Sequence, residues 1–176
     1  RRRSPSWVIQ FDASTPGGGA SLLNHNQTLQ SFRHELSSLG LKAAMAGDEL
    51  IADVDVLITG ALPDEALPSL YRLADVVAMP SLREGFGLVV LEALCSGTPV
   101  VASRIAPFTE HLQDSDVAFA DPLDVSDMAR ALAQAYTQRG APQTGGHRQC
   151  LQHGWRCGSF GRTAGIVRAI RCHAGC

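Results

Sequence analysis

Glu84 and Glu92 stand eight positions apart within PSLREGFGLVVLEALCSG, residues 80–97. Glu84 opens a glycine turn, Glu84-Gly85-Phe86-Gly87, whereas Glu92 lies in a run that is otherwise apolar. The pattern predicts a helix from Gly87 to about Ser96, with Gly97 as its stop. At about 100° per residue, Leu88, Val89, Val90, Leu91, Ala93, Leu94 and Cys95 cover the whole circle. Glu92 falls between Leu88 and Val89, with no obvious wet side. A helix apolar all round is buried, and a buried carboxylate needs partners or takes up a proton. Arg83 and Arg104 are the nearest cations in the sequence. A ligand is the other candidate, because a ribose 2′,3′-diol presents two hydroxyl donors to one carboxylate.

The turn itself can hold an anion. The backbone N–H groups around Phe86, Gly87 and Leu88 open the helix and have no partners within it, and the helix dipole adds positive potential there. Gly85 and Gly87 lack side chains, so a ligand can approach the backbone closely. Glu92 lies ~7.5 Å further along the axis. An anion at the helix start, a ribose deeper in and a polyhydroxyl group at Glu84 together match a nucleotide diphosphate-sugar. The competing reading of the same spacing is a surface helix with Glu92 in solvent and Glu84 as an N-terminal charge.

These residues must be positioned by an alternation of strands and helices. WVIQF (7–11) reads as a strand, broken at once by DASTPGGGAS. Gly17–Gly19 is no P-loop, since no Gly-Lys-Ser/Thr follows. From Thr28, Leu29, Phe32, Leu36 and Leu39 share a helical face that ends at Gly40. VDVLIT (54–59) reads as a strand and Gly60 to Pro63 as a turn. Asp64 is placed to cap a helix whose Leu67, Leu70, Tyr71 and Ala74 face inward. Further strands are expected at 75–79, 99–103 and 116–120, and a short helix at 107–112. A last helix carries Met128, Leu132 and Tyr136 on one stripe. Short apolar strands without polar alternation are buried on both faces, which implies a parallel sheet covered by helices. Ligands in such sheets sit at the carboxyl ends of the strands, which puts the loop of residues 80–87 at the functional edge.

Composition narrows the classes. The chain's 176 residues suffice for a substantial core, and no apolar run approaches the ~18 residues of a membrane span. A basic start with no apolar segment behind it is no signal peptide, so a cytoplasmic protein is the default expectation. The chain begins without Met and reads as a piece of a longer protein. All 17 acidic residues lie between Asp12 and Asp127, against only Arg33, Lys42, Arg72, Arg83, Arg104 and Arg130 over residues 4–137. That balance argues against non-specific nucleic-acid binding. Gly85-Phe86-Gly87 lacks a third glycine at Val90, which argues against a dinucleotide fold of the NAD type. His25 and His111 are lone histidines of surface or packing type.

MPSLREGFGLVVLEALCSGTPVVAS (79–103) resembles the donor-binding core of retaining GT-B glycosyltransferases of the family 4 type, glycosyl transferase group 1. That family carries two glutamates separated by seven residues, as Glu84 and Glu92 are. The likeness extends over GGGASLLNHN (17–26), DVLITGALPDEALPSLYRLADVVAMP (55–80) and DVAFADPLDVSDMARALAQA (116–135). It implies an α/β fold: a Rossmann-like parallel sheet with helices on both faces, the C-terminal half of a GT-B fold. It assigns Glu84 to the donor sugar's hydroxyls as the catalytic contact. Gly85, Phe86, Gly87 and Leu88 fall to sugar and diphosphate, Glu92 to the ribose, and Ala61 and Leu62 to the base. It further implies transfer from an NDP-sugar with retained anomeric configuration, no cofactor and no metal. The partners it implies are a nucleotide-sugar donor, an acceptor that stays unidentified and an N-terminal Rossmann-like domain absent from these residues. The chain departs from the family in lacking the Arg/Lys pair after the first strand that grips the diphosphate. A catalytically silent nucleotide-sugar-binding fragment and a GT-B nucleotide-sugar epimerase are the alternatives.

The expected organisation is an atypical segment 1–16, a nucleotide-sugar-binding domain 17–137 and a Gly/Arg/Cys-rich tail 138–176, expected to be weakly ordered. Cys150, Cys157, Cys172 and Cys176 with His147, His153 and His173 lack the short paired knuckles of common zinc folds. A tail without a single acid fits translation in a shifted frame, which reading the flanking DNA in all three frames would test.

Overall fold

The computed structural model describes residues 7–10, 21–45, 54–59, 62–139 and 168–172. Two compact units divide the chain, residues 1–62 with 164–176, and residues 63–163.

In the first unit, β1 (Trp7–Gln10) is followed by α1 (Ser21–Ser38), β2 (Ala43–Met45) and β3 (Val56–Thr59). β3 pairs in parallel with both β1 and β2, with Trp7 opposite Val56 and Ala43 opposite the same residue on the other side. Ile9, Leu36, Val56 and Ile58 form the core here, with Leu29 and Phe32 of α1 packed against it. Three of the four apolar positions expected on α1 therefore face inward, but Leu39 is 73% exposed because the helix stops at Ser38. The helix also begins at Ser21, earlier than the apolar period at Thr28 suggests. β2 has no counterpart in the sequence reading, since three residues are too short for a periodicity to show.

The second unit holds the loop of interest. A single 3₁₀ turn (Asp64–Ala66) leads into α2 (Leu67–Leu73), and then follow β4 (Ala74–Met79), α3 (Leu88–Cys95), β5 (Val100–Ser103), α4 (Phe108–His111), β6 (Ala118–Ala120) and α5 (Val125–Thr137). Asp64 is not the cap the sequence suggested: it begins the 3₁₀ turn, and no side chain caps either it or α2. Pro68 sits in the first turn of α2, where a missing N–H breaks no helical bond.

β4, β5 and β6 form a parallel sheet, with Val77 opposite Val100 and Val101 opposite Ala118. Val76, Val77, Ala78 and Met79 of β4 and every residue of β5 are buried, as unalternating apolar runs require. α3 packs on β4 and β5, while α5 packs on β4, β5 and β6. Burying a side chain such as Val89, Val90 or Leu94 contributes about 1.5–3 kcal/mol each. Ser103 Oγ donates to the Met79 carbonyl across 3.3 Å and ties the carboxyl ends of β5 and β4 together.

The final strand, β7 (Arg168–Cys172), belongs to the first unit and pairs antiparallel with β1. It is the exception to an otherwise parallel arrangement and falls in the Gly/Arg/Cys-rich tail, over part of the AGIVRAI stretch and the two residues after it. Gly17–Gly19, Gly60, Ala61 and the rest of that tail beyond Arg139 lie outside the described residues. Among the described residues, no helix is long and apolar enough to cross a membrane.

Candidate functional site

The site is built on the junction from β4 to α3. β4 ends at Met79, and the chain then runs through an irregular loop to Gly87, the N-cap of α3. Gly87 has φ 83°, in the left-handed region that residues with a Cβ avoid. A Cβ there would also lie 2.3 Å from Cε1 of Phe108, the buried first residue of α4. Gly87 is thus needed for backbone geometry and for packing. The Phe108 ring fills the space that a side chain at Gly87 would need. Gly85 is the opposite case: a Cβ would meet nothing within 4 Å. The open approach to the backbone is at Gly85.

No side chain caps α3. The first helical amides to bond back are those of Val90 and Leu91, both on the Gly87 carbonyl, at 3.0 and 3.4 Å. Leu88 and Val89 precede them at the positions where a helix leaves its N–H groups open. Glu84, half-buried in the loop, accepts the Gly85 N–H on Oε1 at 3.0 Å. Phe86 is 46% exposed, and its ring lies 5.7 Å from that of His111.

α3 is not buried all round. Val89, Val90, Ala93 and Leu94 are fully buried, while Leu88, Leu91, Glu92 and Cys95 form a half-buried outer face. Glu92 therefore has a partly open side that the apolar circle did not suggest. Four apolar side chains suffice to fill the contact with the sheet, and the others sit at its rim. Its described partner is neither nearby arginine. Tyr71 of α2 donates its phenol hydrogen to Glu92 Oε2 at 2.8 Å. Arg104 instead pairs with Asp114 at 3.0 Å and lies over the Phe119 ring, and Arg83 is exposed.

Of the predicted site residues, the structure brings Glu84, Gly85, Phe86, Gly87, Leu88 and Glu92 onto one loop and the first turns of one helix. Leu62 is half-buried and closes the first unit, and Ala61 lies outside the described residues. Sequence reasoning missed Phe108 and the role of Tyr71. A tyrosine at an inward helical position was the available signal for the second, since a buried phenol seeks an acceptor. No cluster of His, Cys, Asp and Glu among the described residues could hold a metal ion.

A parallel sheet covered by helices, with a glycine-turn helix start flanked by two carboxylates, defines an α/β domain of the Rossmann-like type. The chain belongs to the glycosyl transferases of group 1, whose family model matches residues 45–147, more than half of its length. It is 48% identical over 71 residues to a D-inositol 3-phosphate glycosyltransferase of Corynebacterium kroppenstedtii, a match covering 40% of this chain and 16% of that one. Its fold is similar to that of sucrose-phosphate synthase from Thermosynechococcus elongatus, with TM-score 0.61 and 22% identity over 84% of this chain and 34% of the other. It is also similar to the C-terminal domain of a glycosyl transferase group 1 family protein from Francisella tularensis, with TM-score 0.56 and 21% identity over 73% of this chain and 63% of the other. The chain spans about 10–25% of the length of the first curated relatives it matches. The resemblance carried by residues 79–103 therefore holds at the level of the group 1 family and the fold.

Proposed function

We propose that this chain is the donor-binding part of a glycosyltransferase that moves a sugar from an NDP-sugar to an acceptor with retention of anomeric configuration. The observation that carries the reading is the start of α3, which has no side-chain cap and is set between Glu84 and Glu92. The diphosphate takes the helix start, where amides and dipole meet its charge in place of a resident metal. Gly85 leaves room for it, and Phe86 and Leu88 border it. Glu84 accepts hydroxyls of the donor sugar, and Glu92 accepts the ribose diol.

In the reaction, the bond between the anomeric carbon and the diphosphate oxygen breaks, and its electron pair leaves with the diphosphate. The acceptor hydroxyl oxygen bonds to that carbon, and its proton goes to the departing diphosphate. Donors preset toward the charge that develops on the leaving group lower the barrier without reorganising. The acceptor site falls to a second Rossmann-like domain of the full protein, and a cytoplasmic location fits a soluble nucleotide-sugar donor. Calorimetric titration with UDP, GDP and ADP tests the reading: at least one should bind to the 176-residue chain, and heat from none of them would overturn it.

A further inference from the structure

Tyr71 is 1% exposed and belongs to the last turn of α2. Its backbone is fixed from two directions: its carbonyl accepts the Ala74 N–H and, at 2.6 Å, the hydroxyl of Thr98. Thr98 is itself buried just beyond α3, where its N–H bonds to the Ala93 carbonyl at 3.1 Å. The phenol is thereby held against α3 and donates to Glu92 Oε2 at 2.8 Å. Glu92 is half-buried on the outer face of that helix. A glutamate side chain has three rotatable bonds, and ordering it only when a ligand arrives weakens binding. A donor already fixed in the core removes that cost. A carboxylate offers about four acceptor positions, so a phenol on Oε2 is compatible with a diol accepted by the same group.

We propose that Tyr71 is a positioning residue that presets Glu92 for the ribose hydroxyls of the donor nucleotide, which rests on the ribose reading of Glu92 given above. The phenol does not touch the nucleotide; it acts through the carboxylate. Its signature is discrimination between ribose and deoxyribose, a property that packing alone does not confer.

The test compares binding of UDP, GDP and ADP with that of their 2′-deoxy counterparts to the whole chain. The wild type should favour the ribonucleotide by about tenfold, the scale of a hydrogen bond to a charged group. Tyr71→Phe keeps the ring and its packing, and should reduce that ratio to about threefold or less. Thr98→Val removes the hydroxyl that fixes the Tyr71 carbonyl but keeps the phenol as a donor, so the ratio should fall less than in Tyr71→Phe. Glu92→Ala should abolish the preference altogether. If Glu92→Ala abolishes it and Tyr71→Phe leaves it intact, the positioning role is overturned while the ribose reading stands. If Glu92→Ala leaves it intact, the ribose reading itself fails and the positioning role fails with it.

A second measurement needs no change at Tyr71. The chain has two tyrosines, so Tyr136→Phe protein labelled with [13Cζ]tyrosine gives a single Tyr71 signal. That signal should move on adding the ribonucleotide that binds and move less with its deoxy counterpart. Equal movement with both would overturn the proposal.

Discussion

Gly85 and Gly87 are two glycines of one turn with different physical reasons for being there. Gly87 is left-handed and would drive a Cβ into Phe108, whereas Gly85 is bordered by open space. Gly87→Ala should lower stability by about 2–5 kcal/mol, combining left-handed strain with overpacking. Gly85→Ala should change stability by no more than about 0.5 kcal/mol, yet weaken nucleotide diphosphate binding by crowding the loop backbone. Urea unfolding and calorimetry on the same two variants check both statements. The sequence made the glutamates and the glycine turn visible, because carboxylates in apolar surroundings and closely spaced glycines are both costly without a reason. It could not show which glycine has open space beside it. That depends on Phe108, which stands 21 positions further on and reaches Gly87 only through the fold.

The helices and strands differ in how plainly they could be read. β4, β5 and α3 follow from apolar runs and turn residues, and the structure places them within a residue or two of the expected bounds. Gly97, expected as the stop of α3, has φ 80° directly after its last residues. α2 and β2 were harder, because α2 begins through a 3₁₀ turn without a side-chain cap and β2 has three residues. α3 was read correctly in extent but not in burial: its circle is apolar, yet only one face meets the sheet. α5 has the side-chain cap that α2 lacks, since Asp124 accepts the N–H groups of Ser126 and Asp127 at 2.8 and 3.1 Å. Asp124→Ala should therefore destabilise the second unit by about 1 kcal/mol. The corresponding change Asp64→Ala, at a residue without a cap bond, should cost much less. Paired denaturant curves measure the difference.

For the chain taken whole, acidic groups concentrated between Asp12 and Asp127 make stability sensitive to acid. Asp127 shows how. Its carboxyl is held below the usual value of 3.8, first by the Asp121 N–H it accepts at 2.8 Å and then by the Arg130 guanidinium beside it. A carboxyl lowered on folding stabilises the fold in full above its unfolded value, and that contribution is lost as pH falls through the folded one. Asp127→Asn should thus be less stable than the wild type at neutral pH, with the gap closing below about pH 3.8. Urea unfolding near pH 7 and near pH 3 measures it. The effect is small, because the group is partly exposed and solvent screens it.

At this scale the α/β fold and the family were both legible in residues 79–103, since the helix start and its two carboxylates form one local unit. The Tyr71 contact was not, because it joins two helices across the strand between them. The account rests on separate tasks for two carboxylates, ribose for Glu92 and donor sugar for Glu84. The most direct measurement is calorimetry of a nucleoside diphosphate and of the matching NDP-sugars on wild type, Glu92→Ala and Glu84→Ala. Glu92→Ala should weaken the diphosphate itself by roughly ten- to hundredfold and leave sugar preference largely intact. Glu84→Ala should leave the diphosphate bound and erase the preference among sugars. Equal and negligible effects from the two variants would contradict the account.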